Sequence, residues 1–269
     1  MNEDRDYMRT CFVFILAVCY FFSSAQDFDL YKKEIYFTEN SVLPYRMLMP
    51  QKFDSTLNYP LLIFLHGAFE KGSDNKIQLE IGGDYFLRQN IRDSFPAIVI
   101  FPQCPVNDVW AYFETVTDSA TGIIKEIFFP FKKQPTNVSL ALMSLIDSLL
   151  QLHYVNNKQV YIAGLSQGAM GVLDLIARYP GTFAAGLSIC GAGNPSTTKR
   201  FAGKVSLWLF HGNKDDILPV GFSRDFFRRL RKEGSDVKYT EYAGVYHNSW
   251  INAFNEPDLM QWLFSKSKK

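Results

Sequence analysis

The chain has 269 residues, 28 basic against 27 acidic side chains, a formal net charge of +1 at pH 7 and 47% hydrophobic residues. Such a balance argues against nucleic acid or an anionic membrane as a partner, because both select a strongly basic surface. The length suits one domain with a large core, and no internal repeat or low-complexity linker divides it.

Residues 1–25 read as a leader rather than as part of the fold. A polar stretch from Asn2 to Thr10 precedes an unbroken apolar run from Cys11 to Phe22. That run falls short of the roughly 20 residues a bilayer span needs and suits the core of a signal peptide. Ser23, Ser24 and Ala25 are small, so cleavage after Ala25 is expected, with an uncleaved anchor as the alternative. Export to the periplasm or the extracellular space follows, with residues 26–269 forming one folded domain. No stable membrane association is expected once the leader is gone.

Eight strand-like runs lie near residues 31–38, 44–49, 61–65, 97–101, 159–163, 186–190, 205–210 and 237–242. The first two read as a hairpin turning at residues 39–41. From Leu61 onward strands alternate with helical stretches, the pattern of a mostly parallel sheet covered on both faces. Val138, Leu142, Leu145, Ile146 and Leu149 form the apolar stripe of one helix. Phe222, Phe226, Phe227 and Leu230 form another, backed by Arg228, Arg229, Arg231 and Lys232. That basic cluster reads as a solvated helix face rather than a phosphate site. A last helix is expected to begin near Pro257. Residues 107–135 are expected to form a lid or hairpin, or else a plain surface excursion.

Of the cysteines beyond the leader, Cys104 and Cys190 each follow a predicted strand, with two other strands between those two. Three strand spacings amount to roughly 14 Å, against about 6 Å between the Cα atoms of a disulfide, so free thiols are expected. No Cys/His spacing suits a metal site.

The strongest local pattern is Gly164-Leu165-Ser166-Gln167-Gly168, set between a short apolar strand and an apolar helix. A serine on such a turn holds its hydroxyl above the sheet, and the flanking glycines let neighbouring backbone approach. A serine nucleophile needs a base, and the base needs an orienting acid. Among four histidines, His66 and His211 each precede a glycine at a strand end and read as turn-shaping residues. His153 reads as a surface or capping residue. His247 lies in a loop after the last strand, where it can reach over the carboxyl ends of the strands, so it is the expected base. Asp215 and Asp216 both follow the seventh strand in the right chain order for the acid, and spacing alone does not choose between them.

With these residues in place, the chain resembles the exported α/β-hydrolase family of predicted peptidases and dienelactone-hydrolase-like esterases. It is similar, more distantly, to acyl-protein thioesterase-type carboxylesterases. The likeness runs from about Leu30 to Phe264, through Leu43-Pro44-Tyr45-Arg46, Phe64 to Asn75, Pro102 to Pro105 with Trp110, the Ser166 pentapeptide, Ile189-Cys190-Gly191 and His247 to Trp250. The resemblance implies an α/β-hydrolase fold with a mostly parallel eight-stranded sheet and helices on both faces. It also implies a Ser166–His247–Asp215 triad, the acid being taken from a His-Gly-x-x-Asp segment, with oxyanion donors at the N–H groups of Ala68 and Gln167.

The reading is then a secreted serine hydrolase of carboxylic esters, small or polysaccharide-linked, needing no cofactor and no metal. A prolyl-oligopeptidase-type peptidase and a non-catalytic binding module on the same fold are the alternatives. Phe69 stands where the family usually has glycine. Phe69, Trp110 and Trp250, with Tyr112 and Phe113, are expected to line a substrate groove, the alternative for each being core or loop packing.

Overall fold

The computed structural model describes residues 28–39, 41–121 and 124–268; the expected leader, residues 1–25, lies outside them. Ten strands are present among these: β1 Lys32–Thr38, β2 Ser41–Leu48, β3 Tyr59–Leu65, β4 Ile98–Pro102, β5 Glu114–Thr117, β6 Ile124–Phe128, β7 Val155–Leu165, β8 Ala185–Ile189, β9 Ser206–Gly212 and β10 Val237–Tyr242. The helices are α1 Gly83–Leu87, α2 Gln89–Ser94, α3 Asn137–Leu149, α4 Gln167–Arg178, α5 Thr198–Phe201, α6 Gly221–Lys232, α7 Trp250–Ala253 and α8 Leu259–Phe264.

Eight strands form one sheet in the order β1-β2-β4-β3-β7-β8-β9-β10. The β1–β2 hairpin pairs antiparallel, Thr38 opposite Ser41, and β2 pairs antiparallel with β4. All later neighbours are parallel. This is the α/β-hydrolase sheet that the strand–helix alternation predicts. Every residue of β3 is buried, as expected where helices cover both faces of a parallel sheet.

Each expected run becomes a strand, and the largest shift is in β7. It begins at Val155, where Tyr59 pairs with Val155 before a register irregularity. Asn156, Asn157 and Lys158 break the apolar pattern there because that end of the strand reaches solvent. On one face of the sheet α3 buries Val138, Leu142, Leu145, Ile146 and Leu149, each such side chain contributing roughly 2 kcal/mol of transfer free energy. The hydroxyl of Thr136 accepts the Ser139 N–H and caps this helix. On the other face Tyr31, Phe64, Phe86, Phe101, Trp208 and α8 form a second, aromatic-rich core. The last helix starts two residues beyond Pro257.

In α6, Phe226 and Leu230 are buried. Its basic face is solvated as expected: Arg228 pairs with Asp225, and Arg224 pairs with Glu241 of β10. Residues 107–135 contain the β5–β6 hairpin, a separate two-stranded sheet. Cys104 and Cys190 are both buried and unpaired.

The chain leaves β3 for β4 on one side and returns to β7 on the other, so the ends of β3 and β7 form the switch point where open α/β sheets carry their sites. At that point β7 turns into α4 through Ser166, whose φ of 51° and ψ of −118° lie outside the ordinary regions for an L-residue. The turn works only because α4 enters against the backbone of β3. A Cβ on Gly168 would lie 2.0 Å from the Leu65 carbonyl oxygen and 2.6 Å from that of His66. Gly168→Ala is therefore expected to destabilise the protein by about 3 kcal/mol or more, since only backbone can yield there. Gly181→Ala, with nothing within 4 Å of its Cβ, should stay within about 0.5 kcal/mol. Urea unfolding of the two variants measures the difference.

Candidate active site

Three loops at the carboxyl ends of β7, β9 and β10 bring Ser166, Asp215 and His247 together. The His247 Nε2 lies 2.9 Å from Ser166 Oγ, and its Nδ1 lies 2.8 and 3.0 Å from the two oxygens of Asp215. A ring whose Nδ1–H donates to a carboxylate presents an unprotonated Nε2 to the hydroxyl, the tautomer that a general base requires.

The Asp215 carboxylate is fully buried, and its loop is built around it. The N–H groups of Ile217 and Leu218 donate to Oδ1 at 3.0 and 2.8 Å. A second histidine, His211, places its Nε2 3.1 Å from Oδ2 while lying 2.8 Å from the Leu218 carbonyl. Burial pushes the Asp215 carboxyl towards its neutral form. The hydrogen bonds from His211, His247 and the Leu218 N–H outweigh that effect and hold its pKa well below the ordinary carboxylate range. Asp216, next along the chain, is exposed and makes none of these bonds. Geometry thus separates two carboxylates that spacing left equivalent.

The loop after β3 closes the site from the other side. A Cβ built on Gly67 would fall 3.8 Å from the Ser166 Cβ, so this backbone runs past the serine. Ala68 follows it, exposed. The N–H of Gln167 is the first of α4 and has no acceptor within that helix. The two expected donors therefore lie on the segments that flank Ser166, in β3's loop and at α4's start.

His66 is buried and structural. Its Nε2 accepts the Cys104 N–H at 2.9 Å and its Nδ1 donates to the Gly67 carbonyl at 2.7 Å, a pattern only the neutral ring satisfies. His153 is exposed on the far side of β7, stacked edge-on against Tyr154.

Of the expected groove aromatics, Phe69 is 91% exposed on the loop beside Ala68. Trp250 starts α7 and meets the His247 ring edge-on, with centroids 5.9 Å apart. Trp110 does not line a groove. It has no exposed surface, its Nε1 donates to the His66 carbonyl, and its Cβ packs against Gly171 of α4. Its indole supports the wall behind the loop instead. Beside the triad a small apolar cluster joins Met170, one turn beyond Ser166, to Ala192 and Leu218. Ile127 and Phe129 from the hairpin pack onto it.

A family model of phospholipases and carboxylesterases matches residues 54–257, the whole span that carries these loops. The chain belongs to the phospholipase/carboxylesterase family. Among solved structures, a thermostable esterase is 30% identical with a TM-score of 0.78, over 90% of this chain and 64% of that one. This chain thus spans less than two thirds of that esterase's length. A ferulic acid esterase (17% identity, TM-score 0.60) matches 86% of this chain and 95% of its own. The dipeptidyl peptidase 4 of Porphyromonas gingivalis (15% identity, TM-score 0.64) matches 88% of this chain but 35% of its own. These two likenesses are of fold alone. Comparison with curated protein sequences gives no match.

The His66 arrangement predicts a pH effect on stability. Burial lowers its pKa from 6.5 to about 4, nearby Lys71 assisting and the Gly67 hydrogen bond opposing. The unfolded chain therefore binds the proton first as pH falls. The contribution of His66 is complete above about pH 6.5 and drains away towards pH 4, a loss on the order of 3 kcal/mol. Urea midpoints measured across that range should fall accordingly. In NMR titration of the folded protein, one histidine ring should stay neutral down to about pH 5.

Proposed function

We propose that the protein is a serine hydrolase of carboxylic esters working through an acyl-enzyme. The observation that carries the reading is the unbroken hydrogen-bonded line from Asp215 through His247 to Ser166. Family membership and the 30% identical esterase support an ester as the substrate.

In this reaction Ser166 Oγ attacks the ester carbonyl as His247 Nε2 takes its proton. Asp215 keeps the ring in the required tautomer and stabilises the imidazolium that forms. The carbonyl oxygen gains negative charge as the tetrahedral intermediate develops, and the N–H groups of Ala68 and Gln167 are the donors for it. His247 then returns the proton to the leaving alcohol. A water molecule, activated by the same ring, releases the acid and restores Ser166. Phe69, exposed beside Ala68, and Trp250, edge-on to the His247 ring, are read as the side chains that meet the substrate, a small or polysaccharide-linked ester. The protein is read as exported. The apolar run to Phe22 and the small residues at 23–25 support removal of residues 1–25, which N-terminal sequencing of the mature protein checks. Among the described residues, no helix is long and apolar enough to cross a membrane.

A fluorophosphonate probe followed by peptide mapping should label Ser166, and Ser166→Ala should remove labelling and turnover while leaving the melting temperature close to that of the parent. Label on another residue would overturn the assignment. Asp215→Asn should cost about a thousandfold or more in kcat/KM, because it favours the wrong histidine tautomer. Asp216→Asn should cost less than threefold; the reverse ranking would move the acid to Asp216. Asp215 stays ionised above about pH 4. The acid side of the kcat/KM profile should therefore follow a single proton, and His247→Gln should abolish that limb with the activity.

A further inference from the structure

The peptide plane that carries the Ala68 N–H is held by a side chain outside the triad. The Gly67 carbonyl belongs to the same peptide unit as that N–H, and His66 Nδ1 lies 2.7 Å from its oxygen. His66 Nε2 accepts the Cys104 N–H at 2.9 Å. A backbone N–H can only donate, so Nε2 is bare and the proton of the neutral ring sits on Nδ1. Glu70, folded inward to 6% exposure beside the outward-turned Phe69, leaves its Oε2 4.0 Å from Nδ1. The Gly67 carbonyl is therefore the acceptor for that proton.

The ring is itself held on all sides. It is fully buried and meets Trp110 edge-on, with centroids 5.4 Å apart, while Trp110 Nε1 donates to the His66 carbonyl at 3.2 Å. Cys104 clasps the loop at two points: its N–H binds the ring, and its carbonyl accepts the Gly72 N–H at 2.9 Å. Gly67 has no room to turn, since a Cβ there would lie 2.9 Å from Leu165 Cδ1 and 3.0 Å from Glu70 Oε2. In a trans peptide the N–H points opposite to the carbonyl, and no cis bond occurs among the described residues. The Ala68 N–H thus points away from the buried ring, and it donates to no group among the described residues.

Resting on the reading of Ser166 as nucleophile and Ala68 as an oxyanion donor, we propose that His66 is a positioning residue for the oxyanion loop. Its Nδ1–H grips the Gly67 carbonyl and so aims the Ala68 N–H at the substrate carbonyl oxygen. The two hydrogen bonds share one amide, so they strengthen each other. As negative charge develops on the substrate oxygen, the Ala68 N–H is drawn towards it, the Gly67 carbonyl becomes a better acceptor and the bond from Nδ1 tightens. The ring stays neutral and no proton is transferred. The bond to Cys104 has a separate part: it fixes the tautomer and anchors the ring.

The test separates the two ring nitrogens. His66→Gln places an amide where Nε2 stands and keeps a partner for Cys104, but loses the donor to Gly67. His66→Asn places its amide N–H where Nδ1 stands and keeps that donor. Kinetics on a p-nitrophenyl ester are paired with inhibition constants for a trifluoromethyl ketone, whose adduct with Ser166 carries the oxyanion. His66→Gln should lose about ten- to a hundredfold in kcat, part of the hundredfold or more that loss of a whole donor costs, with KM changed by less than about threefold. Its affinity for the ketone should fall in the same proportion as kcat/KM, and His66→Asn should recover most of both losses. In the parent with isotopically labelled histidine, the His66 Nδ1 proton, assigned by through-bond correlation, should move downfield when the ketone adduct forms. That measurement decides the matter if neither variant folds. A Gln variant with normal kcat, a loss in kcat without weakened ketone binding, an Asn variant as impaired as Gln, or an unmoved Nδ1 proton would each overturn the proposal. Fluorophosphonate labelling of Ser166 in the parent separates these outcomes from failure of the serine mechanism itself, which would leave the parent unlabelled.

Discussion

Everything around Ser166 depends on how closely α4 is pressed against β3. The helix enters with a glycine packed on two carbonyl oxygens of the neighbouring strand, and that contact forces Ser166 into its strained backbone conformation. The same contact aligns the first N–H of the helix with the loop after β3. It also brings Ser166 to the height at which loops from β9 and β10 can meet it. A looser elbow would shift Ser166 relative to His247, Asp215 and Ala68 together, because each of these reaches it from a different loop.

The parts of this arrangement readable in the sequence are those that depend on periodicity or on short local chemistry. The order of strands and helices follows from alternation, and the elbow follows from glycines at two fixed offsets from a serine. His247 stands out by elimination, since the other histidines sit where turns or surfaces explain them. The choice between Asp215 and Asp216 is different in kind. Chain order alone leaves it open and the family's His-Gly-x-x-Asp segment points to Asp215, whose carboxylate is met by two backbone N–H groups and by His211.

Trp110 shows the opposite limit. An aromatic residue near a motif reads equally well as ligand contact or as core, and only its burial behind the β3 loop decides. The start of β7 was hidden because its exposed end carries Asn156, Asn157 and Lys158, which look like a loop. Glu70 is the least legible. A charged residue in a loop is ordinarily solvated, and nothing in its neighbours signals that the chain folds it inward while Phe69 turns outward.

Cys104 and Cys190 set the redox behaviour of the described fold. Both thiols are sealed inside the sheet's two cores, and burial makes each harder to ionise, Cys104 having its pKa pushed up to about 12. With two strands between β4 and β8 they cannot meet, and a thiol that stays protonated is a poor partner in exchange reactions. The described fold thus holds together without a disulfide, and dithiothreitol has no covalent link among the described residues to break.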